Sequence, residues 1–152
     1  MKITELISRV DHLRPNQIED GMKREWLSDL ELLLINEVVL THELPIWVAE
    51  HETYTKFLET QGRESLFDDY NDGELLIPAP YARDVYYWWL VSRIDLVEGN
   101  MEKYANDFQM YNNACLTYKD WYNRTYMPIQ RTKSFMRGGE LRGVFATAET
   151  DQ

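Results

Sequence analysis

The sequence predicts an all-α fold: a small helical bundle of about four helices, with one long irregular loop and a flexible C-terminal tail. The strongest pattern lies between Asn100 and Pro128, where large side chains recur every three or four residues until a proline interrupts them. This face consists of Met101, Tyr104, Phe108, Tyr111, Cys115, Tyr118 and Tyr122. The chain also has only 7 glycines and 5 prolines in 152 residues, which disfavours a barrel or sandwich with many tight turns.

The first half of the chain predicts two helices that are separated by a proline. Apolar residues on one face predict a short helix over Ile3–Leu13, and Pro15 ends it. Asn16 is a favourable N-cap with Glu19 three residues later, so the second helix is expected from about Gln17 to about Thr41. Its expected core-facing residues are Ile18, Met22, Trp26, Leu30, Leu33 or Leu34, and Glu37 or Val38.

The second half predicts two further helices after a long connection. Residues 42–73 are rich in turn-forming residues and are expected to hold at most a short helix or hairpin. Residues 74–80, ELLIPAP, are expected to be extended because each proline restricts the residue before it. A third helix is predicted from Pro80 or Tyr81 to about Glu98, and a fourth from Asn100 to about Tyr126. Gly99 permits either a helical hairpin or one kinked helix, and we favour the hairpin because glycine readily ends a helix.

Aromatic residues are concentrated in these last two helices. Tyr86, Tyr87, Trp88 and Trp89 are consecutive, so their side chains point all around the third helix. A chain of this size has difficulty burying all of them, and helices that are apolar on several faces often pack against other chains. We therefore expect a homo-oligomer whose subunit interface includes Tyr86, Trp88 and Trp89.

The charge distribution divides the chain into an acidic body and a short basic tail. Residues 1–123 hold 23 of the 26 acidic residues and 11 of the 16 basic ones. Residues 124–142 hold the other 5 basic residues and a single acid. The acidic body is unsuited to broad contact with a phosphate backbone, whereas the tail suits either docking on an acidic surface or full solvation. We expect a folded domain over residues 1–128 and a flexible basic tail over residues 129–152.

No residue pattern indicates catalysis, a cofactor or a metal, and we expect a protein that is not an enzyme. His42-Glu43 and His51-Glu52 lack the spacing that places two metal ligands on one helical turn, so solvated side chains are expected there. Residues 68–79 evoke a calcium loop but have unsuitable residues at two ligand positions. Cys115 is expected to be a small core residue.

No apolar run is long enough to cross a membrane and no signal peptide is evident, so synthesis and retention in a cytoplasm are expected.

Two stretches of the sequence carry a resemblance to one protein family. They are RPNQIEDGMKREWLSDLE from Arg14, and the continuous stretch over residues 74–128 that begins with ELLIPAPY and ends with WYNRTYMP. In these stretches the chain resembles the head–tail connector (adaptor) family, small helical proteins encoded beside the portal and capsid genes of tailed bacteriophages and prophages of Gram-positive bacteria. The resemblance covers roughly two thirds of the chain, and LIPAPY and WYNRTYMP are its most specific parts.

The resemblance implies a subunit of a ring, typically of twelve copies, that lies beneath the portal in the virion neck. Such a ring extends the DNA channel, binds the portal protein and the tail-side completion protein, lets DNA pass without specific binding, and is assembled in the host cytoplasm. The tail residues expected to dock on the portal or a neighbour are Arg131, Lys133, Arg137 and Arg142, with Phe135 as an apolar anchor. The same features also fit a small acidic helical binding module, such as a phage assembly chaperone or a regulator of a host factor.

Overall fold

A computed structural model describes residues 1–68 and 72–129 of the chain. Its helices are α1 (Ile3–Leu13), α2 (Asp20–Glu37), α3 (Ile46–Ala49), α4 (Glu52–Thr60), α5 (Tyr81–Val97) and α6 (Met101–Thr125), with a 3₁₀ turn over Val39–Thr41 after α2. The predicted all-α class is confirmed, and the described residues contain no β-strand. The expected number of about four helices is corrected to six within the described ranges, because the connection after α2 contains the short helices α3 and α4.

Three of the long helices lie where the sequence predicts them, and α2 is shorter than expected. α1 has the predicted bounds, and both ends of α5 and α6 fall within one residue of the expected positions. Asn16 does not cap α2, because its Oδ1 accepts the backbone N–H of Ile18 in a tight turn at 3.0 Å. The residue at the cap position is Glu19, which makes no capping hydrogen bond with its side chain, so α2 begins at Asp20.

α5 is the central helix of the bundle and packs against α1, α2 and α6. Its buried residues are Ala82, Val85, Tyr86, Leu90, Val91, Ser92, Ile94 and Asp95, and they lie on every face of the helix. Tyr87, Trp88 and Trp89 are half-buried. The apolar character of α5 on all sides therefore has an explanation within one chain, because other helices of the same molecule surround it.

The buried face of α2 is partly polar, which corrects the predicted core-facing residues. Met22, which we expected in the core, is exposed, whereas Lys23 and Ser28 are buried. Of the alternatives Leu33 and Leu34, Leu34 is the buried residue. Each buried polar side chain has a tertiary partner. The Lys23 ammonium lies 2.6 Å from Oδ1 of Asp11, and the Ser28 hydroxyl accepts a backbone N–H from the segment after α4 at 2.8 Å. The polar residues that the sequence pattern places outside are thus stabilised inside by distant parts of the chain.

The connection between α5 and α6 is a tight helical hairpin, as the sequence favours. Gly99 has a φ of +78°, in the left-handed region, and the Asn100 side chain accepts the backbone N–H of Lys103 at 3.2 Å. A β-carbon on Gly99 would meet no atom within 4 Å, so the backbone conformation rather than space demands glycine there.

We expect the substitution Gly99→Ala to lower the free energy of unfolding by about 1 kcal/mol, because alanine is strained at this φ. Urea unfolding followed by circular dichroism measures the change. Asn106→Ala, at an exposed position in α6, serves as the control and should leave the midpoint unchanged or raise it slightly. An unchanged midpoint for Gly99→Ala would contradict the need for a left-handed residue.

Candidate functional site

The segment that follows α6 is fixed against the connection that follows α2. The backbone N–H of Glu43 donates to the carbonyl oxygen of Met127 at 2.8 Å, and that of Ile129 donates to Thr41 at 2.9 Å. Together these hydrogen bonds form a short antiparallel bridge. The point at which the chain leaves the described body, after Ile129, is therefore held in place.

Side chains of the WYNRTYMP motif hold the same junction. Nε2 of His42 lies 2.8 Å from the amide oxygen of Asn123, and the His42 ring meets the Tyr122 ring edge-on with centroids 5.0 Å apart. Nε1 of Trp47 donates to the Tyr126 hydroxyl at 2.6 Å. The expected solvated position of His42 is wrong, because these contacts with α6 bury its ring. The motif therefore joins the end of α6 to the residues around α3.

The LIPAPY motif is held by a buried carboxylate on α2. Glu31 is 1% exposed, and its Oε2 accepts the backbone N–H of Leu76 at 2.8 Å while its Oε1 accepts the Tyr86 hydroxyl hydrogen at 2.5 Å. The Tyr86 oxygen in turn accepts the backbone N–H of Ile77 at 2.9 Å. Burial raises the pKa of Glu31 to about 7, although the hydrogen bonds from Tyr86 and Leu76 act in the opposite direction. The backbone donors of Leu76 and Ile77 are thus satisfied by side chains of two helices, whereas the N–H of Leu75 donates to the carbonyl oxygen of Met1 at 2.9 Å.

A second buried ionic group joins the end of α1 to the α5–α6 hairpin. Nη1 of Arg14 lies 2.7 Å from Oδ1 of Asp95 and 3.2 Å from Oδ2 of Asp107, and both carboxylates are buried. Burial, followed by the hydrogen bond with Asp107, raises the pKa of Asp95 to about 6, while Arg14 acts to lower it. One guanidinium therefore serves two buried carboxylates.

An open apolar groove of about 600 Å³ runs between α2, α5 and α6. Its lining residues are Leu33, Trp89, Arg93, Phe108, Tyr111, Asn112, Cys115, Leu116 and Lys119. On the floor, the rings of Trp89 and Tyr111 have centroids 5.1 Å apart. On the rim, Leu116 is 59% exposed and Leu33 is also exposed, so apolar side chains face solvent on both sides. Grooves of this kind receive a helix or a protruding apolar side chain of a partner.

The groove carries positive charge although the body of the protein is acidic. The guanidinium of Arg93 lies over the Trp89 ring, 4.5 Å from its centroid, and the Nε of Arg93 is buried without a hydrogen-bond partner among residues 1–68 and 72–129. Lys119 pairs with Glu37 at 3.0 Å, and both of these side chains are partly exposed. None of the residues that line the groove is acidic. The groove therefore offers aromatic and aliphatic contact together with a cation for a carboxylate.

The residues predicted for a functional site lie in different parts of the structure. Tyr86, expected at a subunit interface, lies instead in the core of the single chain, where it is fully buried and bonded to Glu31. Trp89 lines the groove, and Trp88 packs edge-on against Tyr87 with centroids 4.9 Å apart. The residues predicted for docking lie outside the described part of the chain: Arg131, Lys133, Phe135, Arg137 and Arg142.

Sequence reasoning missed the two buried ionic groups and Arg93. The contact between Arg93 and Trp89 had a local signal in the sequence, because residues four positions apart on a helix lie on the same face. No such local signal existed for Arg14 or Glu31, whose partners are far away in the sequence.

The thiol of Cys115 forms part of the groove floor and is buried, as expected for a core residue. Burial raises its pKa, which disfavours the reactive thiolate. Over the described ranges, no set of three or more His, Cys, Asp and Glu side chains is placed to hold a metal ion. In the same part of the chain, no helix combines the length and apolar character needed to cross a membrane.

Comparison of the chain with models of known protein families, with curated proteins and with solved structures gives no match.

Proposed function

We propose that this chain is a head–tail connector (adaptor) subunit of a tailed bacteriophage or prophage, a structural protein of the virion neck rather than an enzyme. Copies of it would form a ring beneath the portal, typically of twelve subunits, that extends the DNA channel and binds the tail-side completion protein. The observation that carries the proposal is the apolar groove between α2, α5 and α6, which the described chain leaves uncovered.

An uncovered groove of this composition supports a role in assembly. Trp89 and Tyr111 supply aromatic area on its floor, and Leu33 and Leu116 leave apolar surface in contact with water on its rim. Aromatic residues are enriched at the centres of protein interfaces, where they contribute most of the binding energy. Burial of this surface against another chain would be favourable in proportion to the apolar area removed from water.

The two most specific motifs of the family resemblance are both held in place by tertiary hydrogen bonds. LIPAPY leads into the central helix α5 and is held by Glu31 and Tyr86. WYNRTYMP ends α6 and is held by His42 and Trp47, so the basic tail begins from a fixed point. A tail with a fixed starting point is suited to reach an acidic portal or a neighbouring subunit, which supports its proposed role as a docking arm.

The charge of the body supports a position on the DNA path. The chain has a formal net charge of −10, and its acidic residues are concentrated in the part before the tail. An acidic wall repels phosphates, which allows a genome to slide through a channel rather than adhere to it.

Electron microscopy and co-purification with the portal protein of the same phage or prophage test the proposal. We expect the full chain to form rings that bind the portal, and the chain without residues 130–152 to keep its helical circular dichroism but lose portal binding. A full-length variant with Arg131, Lys133, Arg137 and Arg142 changed to glutamine is the matched control, which separates the charge of the tail from its length. A full chain that forms no rings and does not bind the portal would rule out the connector.

The groove also favours a second candidate, a small acidic helical binding module such as a phage assembly chaperone or a regulator of a host factor. A single amphipathic helix of a partner fits a groove of this kind without any ring. Native mass spectrometry separates the two candidates, because a binding module gives a one-to-one complex with its partner and a connector gives a large ring.

A further inference from the structure

We infer that the turn of the α5–α6 hairpin in one copy of this chain inserts into the groove of the next copy, so that subunits join head to tail. The inference rests on the proposed function, since it supplies the contact between neighbouring subunits of the ring. The occupant of the groove is a second copy of the chain.

The hairpin turn is an apolar projection with acidic flanks. Val97 and Met101, on either side of Gly99, are 59% and 56% exposed. Glu98 and Glu102 are exposed beside them, and acids outnumber bases two to one within residues 96–103. A β-carbon on Gly99 would meet no atom within 4 Å, and all residues from 96 to 103 are exposed. The tip of the turn is therefore accessible to a neighbour.

The chemistry of the groove complements that of the turn. Its exposed apolar rim, Leu33 and Leu116, would cover the Val97 and Met101 side chains of the incoming turn. The guanidinium of Arg93, which lies over the Trp89 ring and 3.5 Å from the Tyr104 hydroxyl, would face a glutamate of the same turn. Such pairing of apolar with apolar surface and of cation with carboxylate fixes both affinity and register.

The turn of one copy cannot enter the groove of the same copy. Val97 lies four residues after Arg93 on α5, so the turn is a rigid continuation of one wall of its own groove. Two complementary surfaces at different places on one chain make a heterologous contact, which closes into a ring when the rotation between neighbours divides a full circle.

Disulfide cross-linking in a Cys115→Ala background tests the contact on the isolated chain. One variant carries Met101→Cys on the turn and the other carries Leu116→Cys on the rim. When the two are mixed, disulfide dimers should form about tenfold faster than in a mixture of Leu58→Cys and Leu116→Cys, because docked thiols have a raised effective concentration. Leu58 is an exposed apolar residue on α4 and controls for random collision. Equal rates in the two mixtures would overturn the contact.

A chain with both Met101→Cys and Leu116→Cys tests the head-to-tail arrangement. We expect a ladder of covalent multimers on a non-reducing gel, whereas a product that stops at the dimer would overturn this arrangement in favour of a two-fold pair.

The mixture of the two single-cysteine variants also tests the charge pairing. Arg93→Glu in the variant with Leu116→Cys should slow cross-linking, and Glu102→Lys in the variant with Met101→Cys should restore the rate. A slowed rate that Glu102→Lys fails to restore would overturn the charge pairing.

These results separate the contact from the proposed function. A ladder from a chain that does not bind the portal would reject the connector role while the subunit contact stands. Portal-bound rings from a chain that gives no cross-links would reject the contact alone.

Discussion

Replacement of Arg14 by methionine should lower the free energy of unfolding by about 3–5 kcal/mol at pH 8, because it leaves Asp95 and Asp107 buried without their cation. Methionine keeps much of the volume of the side chain, so the loss reports charge rather than a cavity. Urea unfolding of the variant and the parent, followed by circular dichroism, measures the difference.

The loss caused by Arg14→Met should shrink as the pH falls. In the intact protein the pKa of Asp95 is already raised from 3.8 to about 6. A carboxyl group with a higher pKa in the folded state than in the unfolded state binds protons preferentially when folded, so stability increases as the pH falls from about 6 towards 4. Without Arg14 the pKa of Asp95 should rise further, and the variant should recover stability from a higher pH than the parent does.

Two further variants test whether the loss of stability comes from the buried carboxylates or from removing any arginine in this part of the chain. Arg9→Met changes an exposed arginine of the same helix and should alter stability by less than about 0.5 kcal/mol. Asp95→Asn in the Arg14→Met background removes one unpaired carboxylate and should recover part of the loss. An Arg14→Met variant as stable as Arg9→Met at pH 8 would contradict the role assigned to this group.

The helices that the sequence predicts best are those whose signals are local. α1 has a clean apolar face followed by Pro15, and α6 begins after Gly99 and Asn100 and ends just before Met127-Pro128. Periodicity, glycine and proline act within a few residues, so one sequence is sufficient to place these ends. The class of the fold follows from the same signals.

The buried face of α2 could not be predicted from its own sequence. The pattern assigns Met22 to the core and does not include Glu31 there, yet Met22 is exposed and Glu31 is buried, where it accepts hydrogen bonds from Leu76 and Tyr86. A buried polar residue requires a tertiary partner, and a partner 45 or 55 positions away leaves no mark in the local pattern.

The candidate site could not be predicted from the aromatic residues of α5 alone. Their number indicates a helix that is buried all round, but it does not say whether the neighbouring helices belong to the same chain or to another. The structure places Tyr86 inside the chain and Trp89 on the floor of the groove, although the two residues are only three positions apart. The surface that remains for a partner depends on how α2 and α6 pack beside α5, which is a property of the fold as a whole.

Glu31→Gln should make the protein more stable than the parent at pH 8 and leave it within about 1 kcal/mol of the parent at pH 5. The pKa of Glu31 is raised from 4.5 to about 7, mainly by burial. Because the folded state holds this proton more tightly than the unfolded state, the parent loses up to about 3 kcal/mol as the pH rises from about 4.5 through 7. Glutamine resembles the protonated acid, so the variant should lack this loss.

Unfolding free energies of both proteins, measured between pH 5 and pH 8.5, test this prediction through their difference. Taking the difference removes the titration of other groups, which both proteins share. Asn36→Ala, at an exposed position of the same helix, removes no titratable group, so it serves as the control and should differ from the parent by nearly the same amount at every pH. A difference for Glu31→Gln that is equally flat would contradict a titrating carboxylate at this site.

Glu31→Leu separates the charge of this residue from its hydrogen bonds. Leucine removes the carboxylate but leaves the Leu76 N–H and the Tyr86 O–H as buried donors without an acceptor, which should destabilise the protein by about 3 kcal/mol at pH 5, where Glu31→Gln is nearly neutral. The residue is therefore expected to be retained for the donors that it satisfies, at a cost in stability above neutral pH. Because those donors belong to the LIPAPY segment and to α5, the same substitution should also loosen the wall that carries Trp89, and with it the groove.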